Sequence, residues 1–276
     1  MKLSRFCFLV LFSFTACSQS ELAEKPVDLE SKHLVIPHWK LPGVEVEHDR
    51  YWFCSDIDTA FQHPLSIEVL NLSDSIGPNQ AKQLIDGLPK LKNLNSLWFS
   101  GHRNLNLEPF FEVLQSLNNL HELQIDSYNF SLLGKIRKLK QLKNLTLKQI
   151  PFREVPIDFL NGMTLKSLTI VGGDKGFNFS GRLSPNNPLE ELTISRNNDK
   201  ELNYQIYKLN NLQLLSIEFS STSSINPAIA SLLKLKKLQI CLSPISKDEA
   251  KIAMLRQLLK GKCDVLTERD LPLPPY

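Results

Sequence analysis

One pattern constrains this chain more than any other. Leu-x-x-Leu-x-Leu, with Ile or Phe at some ends, occurs eight times. Its middle leucines are Leu70, Leu97, Leu123, Leu145, Leu168, Leu192, Leu215 and Leu238, spaced 27, 26, 22, 23, 24, 23 and 23 residues apart. The final Leu-x-Leu puts two side chains on one face of a short strand, because side chains alternate along an extended backbone. A single such strand cannot bury its apolar face. Stacked copies can, by forming a parallel sheet over one continuous core. The pattern absorbs the leucine excess, 49 of 276 positions, in a chain with only 8% aromatic residues. The expected fold class is therefore an α/β solenoid.

The segments between these strands must carry the outer side. Gln80 to Leu88, Pro109 to Leu117, Val155-Pro156 to Leu160 and Pro227 to Leu233 hold helix or turn signals. Neighbouring strands lie about 4.8 Å apart and packed helices about 10 Å, so the sheet takes the concave face. The end repeats need caps. Ser246-Lys247-Asp248-Glu249 reads as a capping box opening a helix with Ile252, Leu255, Leu258 and Leu259 on one face and Gly261 as its stop. Cys263-Asp264-Val265 then forms a last short strand, with Cys263 level with Leu238. At the other end, Val44 to Val46 and Tyr51 to Phe53 suggest a hairpin, and Ile57, Ala60 and Phe61 a short helix.

On these motifs the chain resembles the leucine-rich repeat family, over roughly residues 60 to 266. The resemblance implies a horseshoe of about eight repeats with a parallel sheet on its concave face and N- and C-terminal caps. The family places asparagine three residues after the last strand leucine. Here those positions are Ser75, His102, Tyr128, Ile150, Gly173, Asn197, Ser220 and Ser243, and only Asn197 conforms. The ladder of asparagines along that edge is thus largely absent, and most of the 20 asparagines lie elsewhere.

The first residues read as an address. Lys2 and Arg5 precede an apolar run from Phe6 to Phe14, too short to span a bilayer, which takes about 20 residues, and fitting a secretory signal. Phe14-Thr15-Ala16-Cys17 resembles the bacterial lipobox, although Phe14 stands where Leu is usual. That resemblance implies lipidation at Cys17, with acyl chains anchoring the protein to a membrane. Ser18, following the cysteine, implies the outer membrane in a Gram-negative host. The expected organisation is a leader at 1–16, a lipidated terminus and polar linker at 17–36, an N-terminal cap at 37–64, repeats at 65–245, and a C-terminal cap and tail at 246–276.

Chemistry-bearing motifs are sparse. His121-Glu122 begins His-Glu-x-x-His, but Ile125 breaks it. Gly172-Gly173-Asp174-Lys175-Gly176 lacks the Gly-Lys-Ser/Thr ending of a phosphate loop and reads as a turn. No Cys-x-x-Cys or Gly-x-Ser-x-Gly occurs. Cys241 and Cys263 fall in adjacent turns of an exported chain, where a disulfide is permitted. In the expected register, however, Cys263 faces inward and Cys241 outward, so a bridge and separate thiols both stay open. Losing Lys2 and Arg5 with the leader takes the formal charge from +3 to +1. A nearly neutral chain argues against nucleic acid as a partner, since that role needs a basic face. No cofactor, metal site or catalytic group is expected, and the tail after Val265 leaves no room for an appended catalytic domain.

What remains is surface. The outward strand positions are mostly small or polar, and Trp98 is the exception. An outward tryptophan is a candidate anchor for a partner, the alternative being that it covers the cap or a loop. Trp98, His102, Arg103, Gln124, Asp126 and Tyr128 form one candidate patch. The expected function is a non-catalytic interaction module, lipid-anchored to a bacterial membrane, whose concave face binds a protein or an envelope polymer. The alternative is a structural or assembly lipoprotein of the cell envelope without a discrete ligand.

Overall fold

The computed structural model describes residues 53–101, 106–126, 133–150 and 153–271. The leader, Cys17, the linker, Val44 to Val46, His102, Arg103, Tyr128 and residues 272–276 lie outside this set. The strands of the main sheet are β1 (Phe53–Cys54), β2 (Val69–Ile76), β3 (Ser96–Gly101), β4 (Glu122–Asp126) and β5 (Asn144–Ile150). They continue, past a short β6 (Glu154–Pro156), with β7 (Ser167–Gly172). After β8 (Asn178–Ser180) come β9 (Glu191–Ser195), β10 (Leu214–Glu218), β11 (Lys237–Cys241) and β12 (Asp264–Thr267). All but β6 and β8 form one ten-stranded sheet in chain order, and every pairing is parallel.

The eight middle leucines of the repeat sit level with one another across this sheet. The row extends to Cys54 in β1 and Val265 in β12, so the caps add one strand at each end. Phe53–Cys54 runs parallel to β2; the hairpin expected between Val44 to Val46 and Tyr51 to Phe53 falls almost wholly outside the described residues. All eight leucines are buried, and each contributes about 1.5–3 kcal/mol relative to an exposed position. Strand entry is equally regular. The carbonyl of Asn95 accepts from the N–H groups of His121 and Glu122, and His121, Lys143, Lys166, Glu190 and Gln213 repeat this double acceptance for the strand that follows each.

The two longest repeats carry the longest outer helices between repeat strands. Around the two longest spacings the outer segments are α-helices, α2 (Pro78–Gly87) and α3 (Glu108–Leu114), preceded by the cap helix α1 (Ile57–Gln62). Beyond α4 (Leu133–Ile136), the shorter repeats hold only 3-10 turns, Ile157–Leu160, Tyr204–Lys208 and Pro227–Ser231. A 3-10 turn rises about 2.0 Å per residue against 1.5 Å for an α-helix, so it spans a similar height with fewer residues. β6 and β8 pair on this outer side. Where helices are present, aromatic side chains fill the added thickness: Phe99 and Phe110 meet edge to face at 4.5 Å between ring centroids.

The asparagine excess has a structural place. The residue just before the first leucine of several repeats is an amide or hydroxyl that donates to a carbonyl of the preceding repeat. Asn93 Nδ2 donates to Leu65 O at 2.7 Å, and Asn119 Nδ2 to Lys92 O at 2.8 Å. Gln141 Nε2 reaches Leu114 O at 2.9 Å, Thr164 Oγ1 Lys140 O at 2.6 Å, and Asn211 Nδ2 Asn187 O at 3.0 Å. The ladder missing beyond the strands is therefore rebuilt before them, where it satisfies carbonyls that the turns leave open. Asn197, the one residue in the usual position, donates to Phe177 O at 3.0 Å.

The helix of the C-terminal cap departs from expectation in two respects. Its helix, α5 (Glu249–Leu258), is capped by Asp248, which accepts from Lys251 N at 3.1 Å. Ser246 instead lies in a preceding 3-10 turn, where its hydroxyl donates to Ser243 O and bonds with Glu268. Ile252, Leu255 and Leu259 are buried, but Leu258 points away from the core and is exposed. Gly261 follows the helix at φ 76°, the left-handed conformation that favours glycine at a helix end.

Candidate binding surface on the concave face

Outward side chains of a parallel sheet form rows across it, so the sheet pairing fixes which candidates meet. Trp98, Gln124 and Thr146 lie in one row, and Ser100, Asp126 and Lys148 in the next, across β3, β4 and β5. All six are partly exposed. From β7 onward the face differs, because Thr169, Thr193, Ser195, Ser216, Glu218 and Gln239 are buried. Accessible concave surface is thus concentrated over β3 to β5. Of the expected patch, Trp98, Gln124 and Asp126 come together there; His102, Arg103 and Tyr128 are outside the described residues.

Trp98 is already engaged. Its Nε1 donates to Glu122 Oε1 at 3.1 Å, a diagonal contact, since Glu122 is level with Ser96. The indole face is left for packing while its one polar atom is satisfied within the sheet. Asp126 and Lys148 are level across β4 and β5. Burial pushes the Asp126 carboxyl above its usual range, with the nearby Lys148 ammonium opposing that rise. Burial likewise pulls Lys148 down, opposed by Asp126. Asp126 Oδ1 is buried without a hydrogen-bond partner. Two charges have therefore been partly dehydrated without forming a close ion pair, an arrangement that costs stability unless something else contacts them. Glu122 and Lys148 were absent from the sequence-derived patch; their strand positions facing Trp98 and Asp126 are the signal that marks them.

The remaining candidates are not brought into a site. Cys54, Cys241 and Cys263 are thiols. Val265, not Cys263, is level with Leu238; Cys263 precedes the strand and is only partly buried, while Cys241, expected to face outward, is buried. Burial and the adjacent Asp264 carboxylate push the Cys263 thiol up to about 11. The glycine-rich segment after β7 forms a turn, with Gly176 at φ 61° packed against the Asn198 amide. Among the described residues no three His, Cys, Asp or Glu side chains gather as a metal site, and no helix is long and apolar enough to cross a membrane.

A ten-stranded parallel sheet with its leucines level, backed by short helices and turns, matches solved structures of one architecture. In a TLR13–ssRNA13 complex the matching region has TM-score 0.54 and 20% identity, over 64% of this chain and 26% of that one. The chain has the leucine-rich repeat fold. The leucine-rich repeat domain of the type III effector XCV3220 (XopL) aligns with TM-score 0.47 and 20% identity, over 60% of this chain and 58% of that domain. An internalin (inlF) from Listeria monocytogenes aligns with TM-score 0.40 and 15% identity, over 78% of this chain and 66% of that one. No family profile matches the sequence, and no curated protein matches it. This repeat chain spans about a quarter of the TLR13 chain and just over half of the effector domain.

Proposed function

We propose that this leucine-rich repeat chain is a non-catalytic binding module, held on a bacterial membrane through acyl chains on Cys17, that engages a protein or envelope polymer with its concave face over β3 to β5. The observation that carries the reading is the pair Asp126 and Lys148 beside Trp98. Both are half-dehydrated, Asp126 Oδ1 is unsatisfied, and an indole face lies in the adjoining row. A partner presenting an N–H donor or cation next to an apolar group would satisfy Asp126 and cover Trp98 together. Anchoring is supported by the leader and the Ala16-Cys17 junction; Ser18 favours the outer membrane in a Gram-negative host. Capture from crosslinked native envelopes, comparing wild type with Trp98→Ala and Asp126→Ala, tests the surface. A partner recovered equally by all three overturns it. Metabolic labelling with a fatty-acid analogue, lost in Cys17→Ala, tests the anchor.

The second reading is a structural or assembly lipoprotein without a discrete ligand. It is favoured by the Trp98–Glu122 hydrogen bond, which gives the tryptophan a role within the sheet. A deletion that weakens the envelope, with no partner captured by the concave face, supports that reading.

A further inference from the structure

The small net charge conceals a local excess. Between Asp126 and Glu154 the sequence has seven basic residues and no acidic one. This stretch is the fourth repeat: α4, the turn after it, and β5. Lys135 is paired with Glu112 at 2.6 Å, and Lys148 faces the concave floor, level with Asp126 and away from this edge. Arg137, Lys138, Lys140 and Lys143 are exposed and pair with no carboxylate among the described residues. They lie on the turn that enters β5. A methyl group built on Gly162, in the next repeat, would stand 3.9 Å from both Arg137 Nη2 and Lys140 Nζ, so these two cations converge over that turn. Lys140 Nζ donates to Gly162 O at 2.7 Å, which fixes its position. The neighbouring strand-entry side chain, Lys166, adds a further cation and is paired with Glu190.

Among the described residues, those of this stretch from Leu133 to Ile150 include no aromatic side chain. The four exposed cations thus have no described aromatic neighbour in their own repeat on which a base could stack, as sequence-tolerant nucleic-acid binding uses. It is a solvent-exposed ridge of cations that form no close ion pair among the described residues, one of them held in place by Gly162 O, and is suited to a surface of many mobile anions. We propose that the strand-entry edge of the fourth repeat, through Arg137, Lys138, Lys140 and Lys143, binds a bilayer surface bearing anionic phospholipid headgroups. Such contact gains roughly fivefold in partitioning per cation near the surface and is screened by salt. The proposal is independent of lipidation at Cys17, because it concerns the orientation and adhesion of the folded repeats.

The test is vesicle co-sedimentation of the full, non-lipidated chain on phosphatidylcholine vesicles with and without phosphatidylglycerol; the neutral vesicles measure what the apolar leader contributes. Wild type is expected to bind the anionic vesicles more tightly, with the difference lost at high salt. Arg137→Glu/Lys138→Glu/Lys143→Glu is expected to lose at least about tenfold of that difference. Lys247→Glu/Lys260→Glu/Lys262→Glu, which makes the same charge change on the C-terminal cap, is expected to retain it. Alanine at Arg137, Lys138 and Lys143 gives an intermediate loss without risk of new repulsion, with thermal melts confirming that each variant folds. Equal binding to both vesicle types overturns the proposal, as does equal loss in the two triple variants. So does tighter, Arg137-dependent binding to a single-stranded oligonucleotide or polyglutamate than to anionic vesicles.

Discussion

Arg256 Nη2 lies 2.7 Å from Asp270 Oδ2, and together the two side chains close the outer edge of the sheet. In β12, Asp264 N points back to Lys236 O of the preceding repeat, so by alternation Val265 and Thr267 turn their backbone groups outward. Arg256 Nε donates to Val265 O at 3.3 Å, and Asp270 Oδ2 accepts from Thr267 N at 2.8 Å. The ion pair thus stands where a further strand would pair. An open parallel edge invites another chain, and this pair blocks it.

Replacing either member should reopen that edge. Arg256→Ala, which removes two hydrogen bonds, or Asp270→Ala, which removes three, is expected to lose about 1 kcal/mol of stability, since these partly exposed contacts are weakened by solvent, and to self-associate with rising concentration. Sedimentation velocity checks this. A variant that stays monomeric across the concentration range would show that other features guard the edge.

The same carboxylate sets an acid limit. Thr267 N–H and then its hydroxyl, with Arg256 contributing less, hold Asp270 below the usual aspartate range. At Asp248 the backbone N–H of Lys251 has the same effect. Because the folded values are depressed, their stabilisation is fully present above an ordinary aspartate pKa of about 3.9 and disappears as pH falls through the folded values. Denaturation followed from neutral to acid pH should show this loss below about pH 4, and Asp270→Asn should remove its share of the slope.

Asp126 has the opposite sign. Burial raises its pKa, so its contribution to folding is most favourable in acid and is lost as pH rises through the folded value. Asp126→Asn is therefore expected to be more stable than wild type at neutral pH, with the gap closing on acidification, while binding at the concave face weakens. Stability and binding moving in opposite directions would mark a site kept for contact and not for folding. A variant that loses stability at neutral pH counts against this.

Two packing positions give simpler expectations. A Cβ on Gly87 would overlap the Phe61 ring, so Gly87→Ala should cost about 1–3 kcal/mol by overpacking α1 against α2. Asn187 is buried, donating to Leu160 O and accepting from Leu189 N. Asn187→Ala should cost about 1–3 kcal/mol by leaving both groups unsatisfied. Urea denaturation of each variant measures the changes.

How much of this was legible follows from what periodicity encodes. The eight middle leucines specify register, because one apolar face fixes strand alignment, and all eight are level in the sheet. Cys54 and Val265 lie beyond the motif, so the end strands gave weaker signals. The helix start moved from Ser246 to Asp248 because both residues fit a cap, and Ser246 is taken up by Ser243 and Glu268, contacts that only the folded chain creates. The displaced amide ladder had a visible marker in Asn93, Asn119 and Asn211, each directly before a leucine. Its partners are carbonyls one repeat earlier, which hydrophobic spacing does not reveal. Trp98 was identified as outward, but its bond to Glu122 needs the diagonal geometry of neighbouring strands. Net charge over the whole chain averages out the local excess of the fourth repeat, which the order of the residues shows directly.

The change from helices to 3-10 turns along the outer side has a mechanical meaning. A solenoid bends according to the difference in thickness between its two faces; thick helices follow β2 and β3, thin turns follow β9 and β10, and the cap helix α5 follows β11. The ribbon should therefore bend more sharply around β2 and β3 than around β9 and β10. Trp98 lies in the sharper part and Lys148 near the transition, so a ligand of the proposed concave site would meet a cradle whose radius is set by the elements on the outer side. Insertions or deletions on the outer side would retune that radius without altering a single residue that the ligand touches.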